Sequence, residues 1–332
     1  MPGLSVEQLR AAIAQNRFAV FGRAGMDMFA HPPGVKSEKA QEFRSGLGGS
    51  AANIAAGLCK FGAQASLITS VSDDAVGRFC LNQLKHYGVD ATHVRAVGGE
   101  YRNSLAVYES VLEDFQNVIY RNGAADFQVT EEDVDAVDLT GFGTLVTAGT
   151  VFAAEPSRGA HFHAFDKAAA IGLPVIFDID YRPYSWPSPE VAADVLSRAG
   201  AASDMIVGND EEFGFMAGGM DKGLAKARTL SETGVAIVIY KMGEGGAVTF
   251  AGGEEIRTGI YPVTAVKPNG AGDSFMAGLL AGIADGLPLR DAILHGSACA
   301  AIVVSQPGCA PAMPNHTQLA DFLARHSGPT EV

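Results

Sequence analysis

The chain has 332 residues, 47% of them hydrophobic and 18% charged, and 24 Lys and Arg against 37 Asp and Glu leave a formal charge of −13. That balance excludes a general binder of nucleic acid or of an anionic membrane surface, both of which need net basic surface; a small anion held by a few placed donors stays open. The length fits two ordinary domains or one large α/β domain, with a core large enough to need no metal or disulfide staple.

The N-terminal stretch lacks the basic and apolar regions of a secretory signal, and no run of about 18 apolar residues predicts a membrane span. A soluble, cytoplasmic protein is expected. Residues 5–15 read as a helix, with Ser5 and Gln8 spaced as a capping box. Phe18–Phe21 reads as a short buried strand, ending at Gly22-Arg-Ala-Gly25. Ser50 to Phe61 is an apolar helix closed by Gly62. Leu67–Val71 is a strand, and Asp74 to Tyr87 a helix stopped by Gly88. Residues 104–111 and 117–121 change texture and suggest two strands of a small separate sheet.

Beyond them the strand–helix alternation resumes. Thr144–Ala148, Pro174–Asp178, Met205–Gly208 and Val235–Tyr240 are compact apolar runs, as expected of strands covered on both faces. Ala247–Phe250 and Glu255–Thr258 form a hairpin around Gly252-Gly253, and helices follow at about 271–284 and 290–304. The predicted fold class is α/β, a mostly parallel sheet with helices on both faces, carrying a small inserted sheet from about 27–46 and 100–121. Cys59, Cys80, Cys299 and Cys309 have neither C-x-x-C nor zinc-finger spacing; Cys59 and Cys299 read as reduced buried thiols. His161 and His163 read as surface residues.

In open parallel sheets ligands bind beyond the carboxyl ends of the strands, where the glycine-rich and acidic motifs of this chain fall. Lys267-Pro-Asn-Gly270-Ala271-Gly272-Asp273 opens a long helix. Backbone N–H groups at a helix N-terminus make an anion hole, and Asp273 beside it is placed to take a proton from an attacking hydroxyl. The plainer alternative is a first-turn Asp favoured by the helix dipole. Gly48-Gly49-Ser50-Ala-Ala-Asn53 also opens a helix; its N–H groups and the Asn53 amide suit hydroxyls, and with Gly46 it spells a reduced dinucleotide fingerprint that lacks a good preceding strand and a following acidic residue. Asp27 follows the first strand and can accept from two adjacent hydroxyls, or merely form a turn.

Asp178-Ile-Asp180-Tyr-Arg182-Pro stands directly after a strand. Arg182 can bind a carboxylate bidentately, or pair with an Asp to brace its loop. Asn209 and Glu212 have capping-box spacing; Glu212 is alternatively a place for hydrated Mg²⁺. Lys241 and the glycines Gly243 and Gly246 either wrap a nucleotide phosphate or make a hairpin turn. No P-loop and no G-x-S-x-G is present.

In this order the motifs resemble the ribokinase-like (PfkB) carbohydrate kinases, over about residues 18–314. Gly22 with Asp27, Gly48 and Gly49 with Asn53, Asn209 with Glu212, and Gly270-Ala271-Gly272-Asp273 match the family's elements. The resemblance implies transfer of the ATP γ-phosphate to a sugar hydroxyl with Mg²⁺, Asp273 acting as base. It also implies a lid, and a homodimer formed through it. D-Y-R-P-x-x-W at 180–186 and Y-R-x-x-x-A-D at 120–126 resemble the members that act on keto-deoxy sugar acids. That likeness implies that Arg121 and Arg182 hold the substrate carboxylate together with Asp27, Gly48, Gly49 and Asn53. Lys241, Gly243, Gly246, Asn209 and Lys267 then form the ATP side. Lys267 stands where many relatives have an Asp that helps bind a monovalent cation, and the expectation is that its ammonium takes that role. The rivals are a nicotinamide dehydrogenase using Gly46–Ala51 and a binding protein that has kept the fold without turnover.

Overall fold

Alternation along the buried strands sets the architecture. In the strand Arg17–Phe21, Phe18 and Val20 join one core while Ala19 and Phe21 join another. Successive side chains of a strand point to opposite faces, so a strand apolar at every position must be covered twice. The same division separates Leu67 from Ile68, Ile176 from Phe177, and Ile237 and Ile239 from Val238 and Tyr240.

The computed structural model describes residues 3–109, 116–267 and 269–331. Its strands are β1 (Arg17–Phe21), β2 (Gly25–His31), β3 (Glu42–Gly48), β4 (Gln64–Ser72), β5 (Val94–Val97), β6 (Leu105–Tyr108) and β7 (Asn117–Tyr120). They continue with β8 (Thr144–Ala148), β9 (Val175–Asp178), β10 (Met205–Asn209), β11 (Ile237–Lys241), β12 (Ala247–Ala251) and β13 (Glu254–Thr258). A nine-stranded sheet has the order β13-β12-β11-β10-β9-β8-β1-β4-β5. It is parallel from β11 through β5, with the antiparallel hairpin β12–β13 at one edge. Helices cover both faces, among them Ser50–Lys60, Ala271–Ala284 and Leu289–Val304 on one and Ser157–Ile171 and Pro189–Ala201 on the other.

A second, four-stranded sheet has the order β3-β2-β6-β7. β2 runs antiparallel to β3 and parallel to β6, and β6 antiparallel to β7. It forms where the change of texture places it. Ser110 and Val111 of the predicted 104–111 strand, and Pro268 of the glycine motif, lie outside the described residues. The helix over 5–15 is found at Val6–Ile13 with both capping-box bonds made, and Asn16 at φ 57 ends that segment.

One strand goes unread in the sequence and two readings are corrected. Strand β5, a short edge strand with Arg95 and Ala96 exposed, carries too little apolar signal to stand out. His161 is a core residue, not a surface one. It lies on the stripe Ser157, Ala160, His161, Ala164, Phe165 and Ala168 that its helix turns inward. Its ring packs against Phe21 and Phe152, Nδ1 bonds the Ser157 carbonyl at 2.6 Å, and burial pushes its pKa down to about 4. His163 is half-buried and meets Asp135 at 2.9 Å. Cys59 is half-buried rather than buried, because the last turn of its helix comes to the surface; all four cysteines are free. Among the described residues no helix is long and apolar enough to cross a membrane.

Candidate active site

A cleft of about 1020 Å³ opens where the parallel strands end. Arg23 follows β1, Asp178 and Asp180 follow from β9, Asn209 and Glu212 from β10, and Lys241 and Gly243 from β11. The small sheet closes the cleft from one side with Asp27, Tyr108 and Ile119, which share one face of that sheet through the pairings Asp27↔Ala106, Phe29↔Tyr108 and Ala106↔Ile119.

Asp273 lies in the first turn of the helix Ala271–Ala284. The first bond of that helix runs from Ser274 N–H to the Gly270 carbonyl at 3.1 Å, so the N–H groups just before it have no partner within the helix. Gly270 caps it at φ 84, and a Cβ there would come within 2.8 Å of Cys309 Sγ; only glycine makes this turn without strain. The Asn53 amide donates to Asp273 Oδ2 at 2.8 Å. Burial raises the pKa of Asp273, and Asp180 raises it further, while the Asn53 bond opposes both. A carboxylate nearer neutrality beside an anion hole is the arrangement a general base needs.

Lys241 reaches this helix start. Its Nζ is 3.7 Å from where a Cβ would stand on Gly272, and 5.3 Å from the centre of the Phe275 ring. Lys267 is buried, and its ammonium donates to the Asn269 carbonyl.

Asp27 is 2% exposed, and its Oδ1 has no partner. Burial pushes its pKa up to about 7, against the opposing pull of Arg23. Gly48 does not line the cleft; a Cβ there would fall inside the Asp27 carboxylate, so its role is to make room. Gly49 and Asn53 do line it. The raised pKa has a measurable consequence. The ionised carboxylate can only accept, which suits a ligand offering two hydroxyls. If Asp27 takes the role expected from the sequence, ligand affinity should be roughly tenfold weaker at pH 6 than at pH 8, as the ionised fraction falls. Calorimetric titration across that range reads it, and Asp27→Asn should flatten the profile. For the free protein the sign is the reverse: the raised pKa adds stability below about pH 4 that is lost as pH rises through about 7.

Four predicted groups take structural partners. Asn209 and Glu212 form a complete capping box, with Asn209 Oδ1 accepting from Glu212 N–H and Glu212 Oε2 from Asn209 N–H, both at 2.8 Å. Glu212 Oε1 also accepts from Tyr181 N–H at 3.2 Å, yet the buried carboxylate still borders the cleft and its pKa is raised by burial. Arg182 Nη2 pairs with Asp180 at 2.6 Å, the bracing alternative, while lining the cleft. Asp180 also accepts from Ser50 Oγ; burial alone would raise its pKa, but Arg182 and Ser50 outweigh that and hold it below the usual range. Its backbone is left-handed at φ 35, a conformation uncommon in residues other than glycine and more frequent at functional sites. Asp178 beside it is held well above the usual range by burial.

Arg121 is not in the cleft. It is buried with Asp126, its Nε 3.1 Å from Asp126 Oδ2 and its Nη1 2.8 Å from the Thr150 carbonyl, over the Phe127 ring. A buried cation that does line the cleft is Arg23, which motif reading passed over. The available signal was its position: it follows a buried strand immediately, nearer than Asp27.

Gly46 does not belong to a dinucleotide turn. It lies in β3, whose partner is the antiparallel β2 of the small sheet, so no βαβ unit surrounds it.

The chain is 36% identical over 309 residues to 5-dehydro-2-deoxygluconokinase of Photobacterium profundum, covering 92% of this chain and 93% of that one. It is 35% identical over 314 residues to 5-dehydro-2-deoxygluconokinase of Geobacillus kaustophilus, covering 93% and 94%. The fold matches a protein from E. coli given the name Ribokinase II, solved with ATP and Mg²⁺, at a TM-score of 0.83 and 22% identity over 93% of this chain and 99% of that one. The pattern of the pfkB family carbohydrate kinases matches residues 15–316. The chain belongs to the pfkB family of carbohydrate kinases and is a phosphotransferase of the ribokinase-like fold.

Proposed function

We propose that this kinase uses ATP and Mg²⁺ to phosphorylate the terminal hydroxyl of a keto-deoxy sugar acid, 5-dehydro-2-deoxy-D-gluconate of myo-inositol catabolism, in the cytoplasm. The observation that carries this reading is the meeting, in one cleft, of the half-buried Asp273, the helix start at Gly270–Gly272 and the buried cation Arg23. The names of the relatives direct the choice of acid.

Asp273 takes the proton of the hydroxyl that attacks the phosphoryl group. The N–H groups of Ala271 and Gly272, with Lys241, stabilise the charge that spreads over its oxygens, since phosphoryl transfer depends mainly on positioning and electrostatics. Gly243 and Gly246 border the nucleotide side together with Asn209 and Lys267. Among the described residues no cluster of three or more acidic, His or Cys side chains could hold a metal. Mg²⁺ suits this cleft nonetheless, because it keeps most of its water and needs only one or two carboxylates, here Glu212 and Asp178. When bound, Mg²⁺ supplies charge neutralisation between phosphate oxygens.

The whole chain acts as one kinase domain, and the four-stranded sheet as a lid that excludes water and limits ATP hydrolysis. The side of that sheet opposite Asp27 exposes Phe43, Val118 and Tyr120. An apolar face on a thin sheet supports a homodimer through the lid. Sedimentation should give a dimer at micromolar concentration, and Val118→Lys should shift it toward monomer; a wild-type monomer there would contradict the reading. Lys267 stands in for a monovalent cation, its ammonium meeting a backbone carbonyl as such an ion does. Rates in Na⁺, K⁺ and Tris buffers are expected to agree within about twofold, a change too small to reflect a bound ion worth even 1 kcal/mol; strong K⁺ activation would contradict this role.

The function itself is tested by ADP release from a panel holding 5-dehydro-2-deoxygluconate, 2-keto-3-deoxygluconate, fructose and ribose. The highest kcat/KM is expected for the first. A neutral sugar leading the panel would overturn the sugar-acid reading.

A further inference from the structure

Each cation near the cleft can be checked for the acceptors that hold it. Arg121 is saturated by Asp126 and the Thr150 carbonyl. Arg182 is paired with Asp180. Lys267 is committed to the Asn269 carbonyl. Arg23 differs from all three. It is 8% exposed, it lines the cleft, and among the described residues its one side-chain hydrogen bond is Nη1 to Ser104 Oγ at 3.0 Å. Among the described residues its Nε is buried without a hydrogen-bond partner and no carboxylate forms an ion pair with it, although Asp126, Asp27 and Asp180 act on its charge from farther away.

A buried guanidinium with one neutral partner out of five N–H groups is a costly arrangement. Its backbone is nevertheless firmly held. The Arg23 carbonyl accepts from Ala52 N–H at 3.3 Å, and the neighbouring Ala24 carbonyl accepts from the buried Asn103 amide at 2.9 Å. Ser104, fully buried, fixes the fork from one side. The side chain is thus oriented in advance and left short of acceptors on the side of the sugar groups Asp27 and Asn53. A planar fork with free N–H groups matches a carboxylate.

We infer that Arg23 is the residue that binds the carboxylate of the substrate and sets the preference for sugar acids over neutral sugars. This rests on the sugar-acid reading above. The carboxylate supplies the acceptors that Arg23 lacks, and the opposite end of the chain is directed to Asp273. Arg182 then serves to hold Asp180, and Arg121 to hold Asp126.

The test compares 5-dehydro-2-deoxygluconate with its primary amide, which keeps the shape and removes the charge. Wild-type enzyme should prefer the acid by about 10²-fold in kcat/KM, the scale of a lost charge-assisted bidentate contact. Arg23→Gln should lose about 10²-fold on the acid, chiefly through KM, while the amide stays within about threefold and the KM for ATP is unchanged. Arg23→Lys keeps the charge without the fork. It should raise KM for the acid about tenfold and leave the amide unaffected, which serves should the Gln variant not fold. Equal losses on acid and amide in either variant would make Arg23 a structural residue and overturn the assignment, as would undiminished activity on the acid. Wild-type enzyme that takes acid and amide alike would instead overturn the sugar-acid reading itself.

Discussion

Asp273→Asn is expected to lower kcat by about 10³- to 10⁴-fold while ATP still binds. Removal of a positioned general base typically forfeits 10²–10⁴ in rate, and two of the neighbouring carboxylates are already engaged. Asp180 is committed to Arg182 and Ser50, and Glu212 to two backbone N–H groups. The variant keeps the shape, and its amide can still meet Asn53, so binding should survive. Nucleotide affinity by calorimetry and turnover by ADP release separate the two effects. Because burial raises the pKa of Asp273, wild-type kcat should climb with pH until the carboxylate is ionised, and the residual rate of the variant should lose that limb. Turnover near that of wild type would refute the base assignment.

Arg121→Leu should destabilise the protein by about 3–5 kcal/mol, because it leaves the buried Asp126 without its cation. At this chain length that corresponds to a Tm lower by roughly 4–7 °C. Removing both partners, as Arg121→Met with Asp126→Leu, should recover most of the loss, since no charge is then left unpaired. The KM for the sugar acid should change less than threefold in every variant that folds. A tenfold rise in KM at unchanged Tm would return Arg121 to the substrate site.

These two residues also mark how far the sequence carries. The place of Asp273 was legible because its setting is local: a glycine turn, a helix start and a first-turn carboxylate are consecutive in the chain. Asn53, Gly49, Lys241 and Glu212 were legible for the same reason, each lying just beyond a strand or opening a helix. Arg121 was misplaced because the alternatives, a substrate or Asp126, differ only in which way a side chain turns after β7. Arg23 was overlooked because its meaning comes from what it lacks. Missing hydrogen-bond acceptors are visible only when every neighbour is placed, and Ser104 and Asn103 are some 80 residues away. His161 shows the reverse failing: the Ala160–Ala164–Ala168 stripe was present in the letters, but polarity was given more weight than period.

The four-stranded sheet has a consequence for how the molecule folds. Its two hairpins, β2–β3 and β6–β7, are joined by the parallel pairing of β2 with β6, which brings together residues about 80 positions apart. Between them the chain completes β4 and β5 of the large sheet. Closing so long a loop brings an entropy cost before any contact rewards it, and parallel pairings of this kind form slowly. Most neighbouring strands of the large sheet lie closer in sequence, Arg17 pairing with Gln64 and Leu145 with Val175, although the pairing of β1 with β8, Phe18 with Thr144, spans still more chain. The small sheet, and with it Asp27, is thus held together across one long stretch of chain, and under the proposed function a sugar bound at Asp27 and Asn53 would bridge it to the helix Ser50–Lys60 and raise the resistance of that junction to opening.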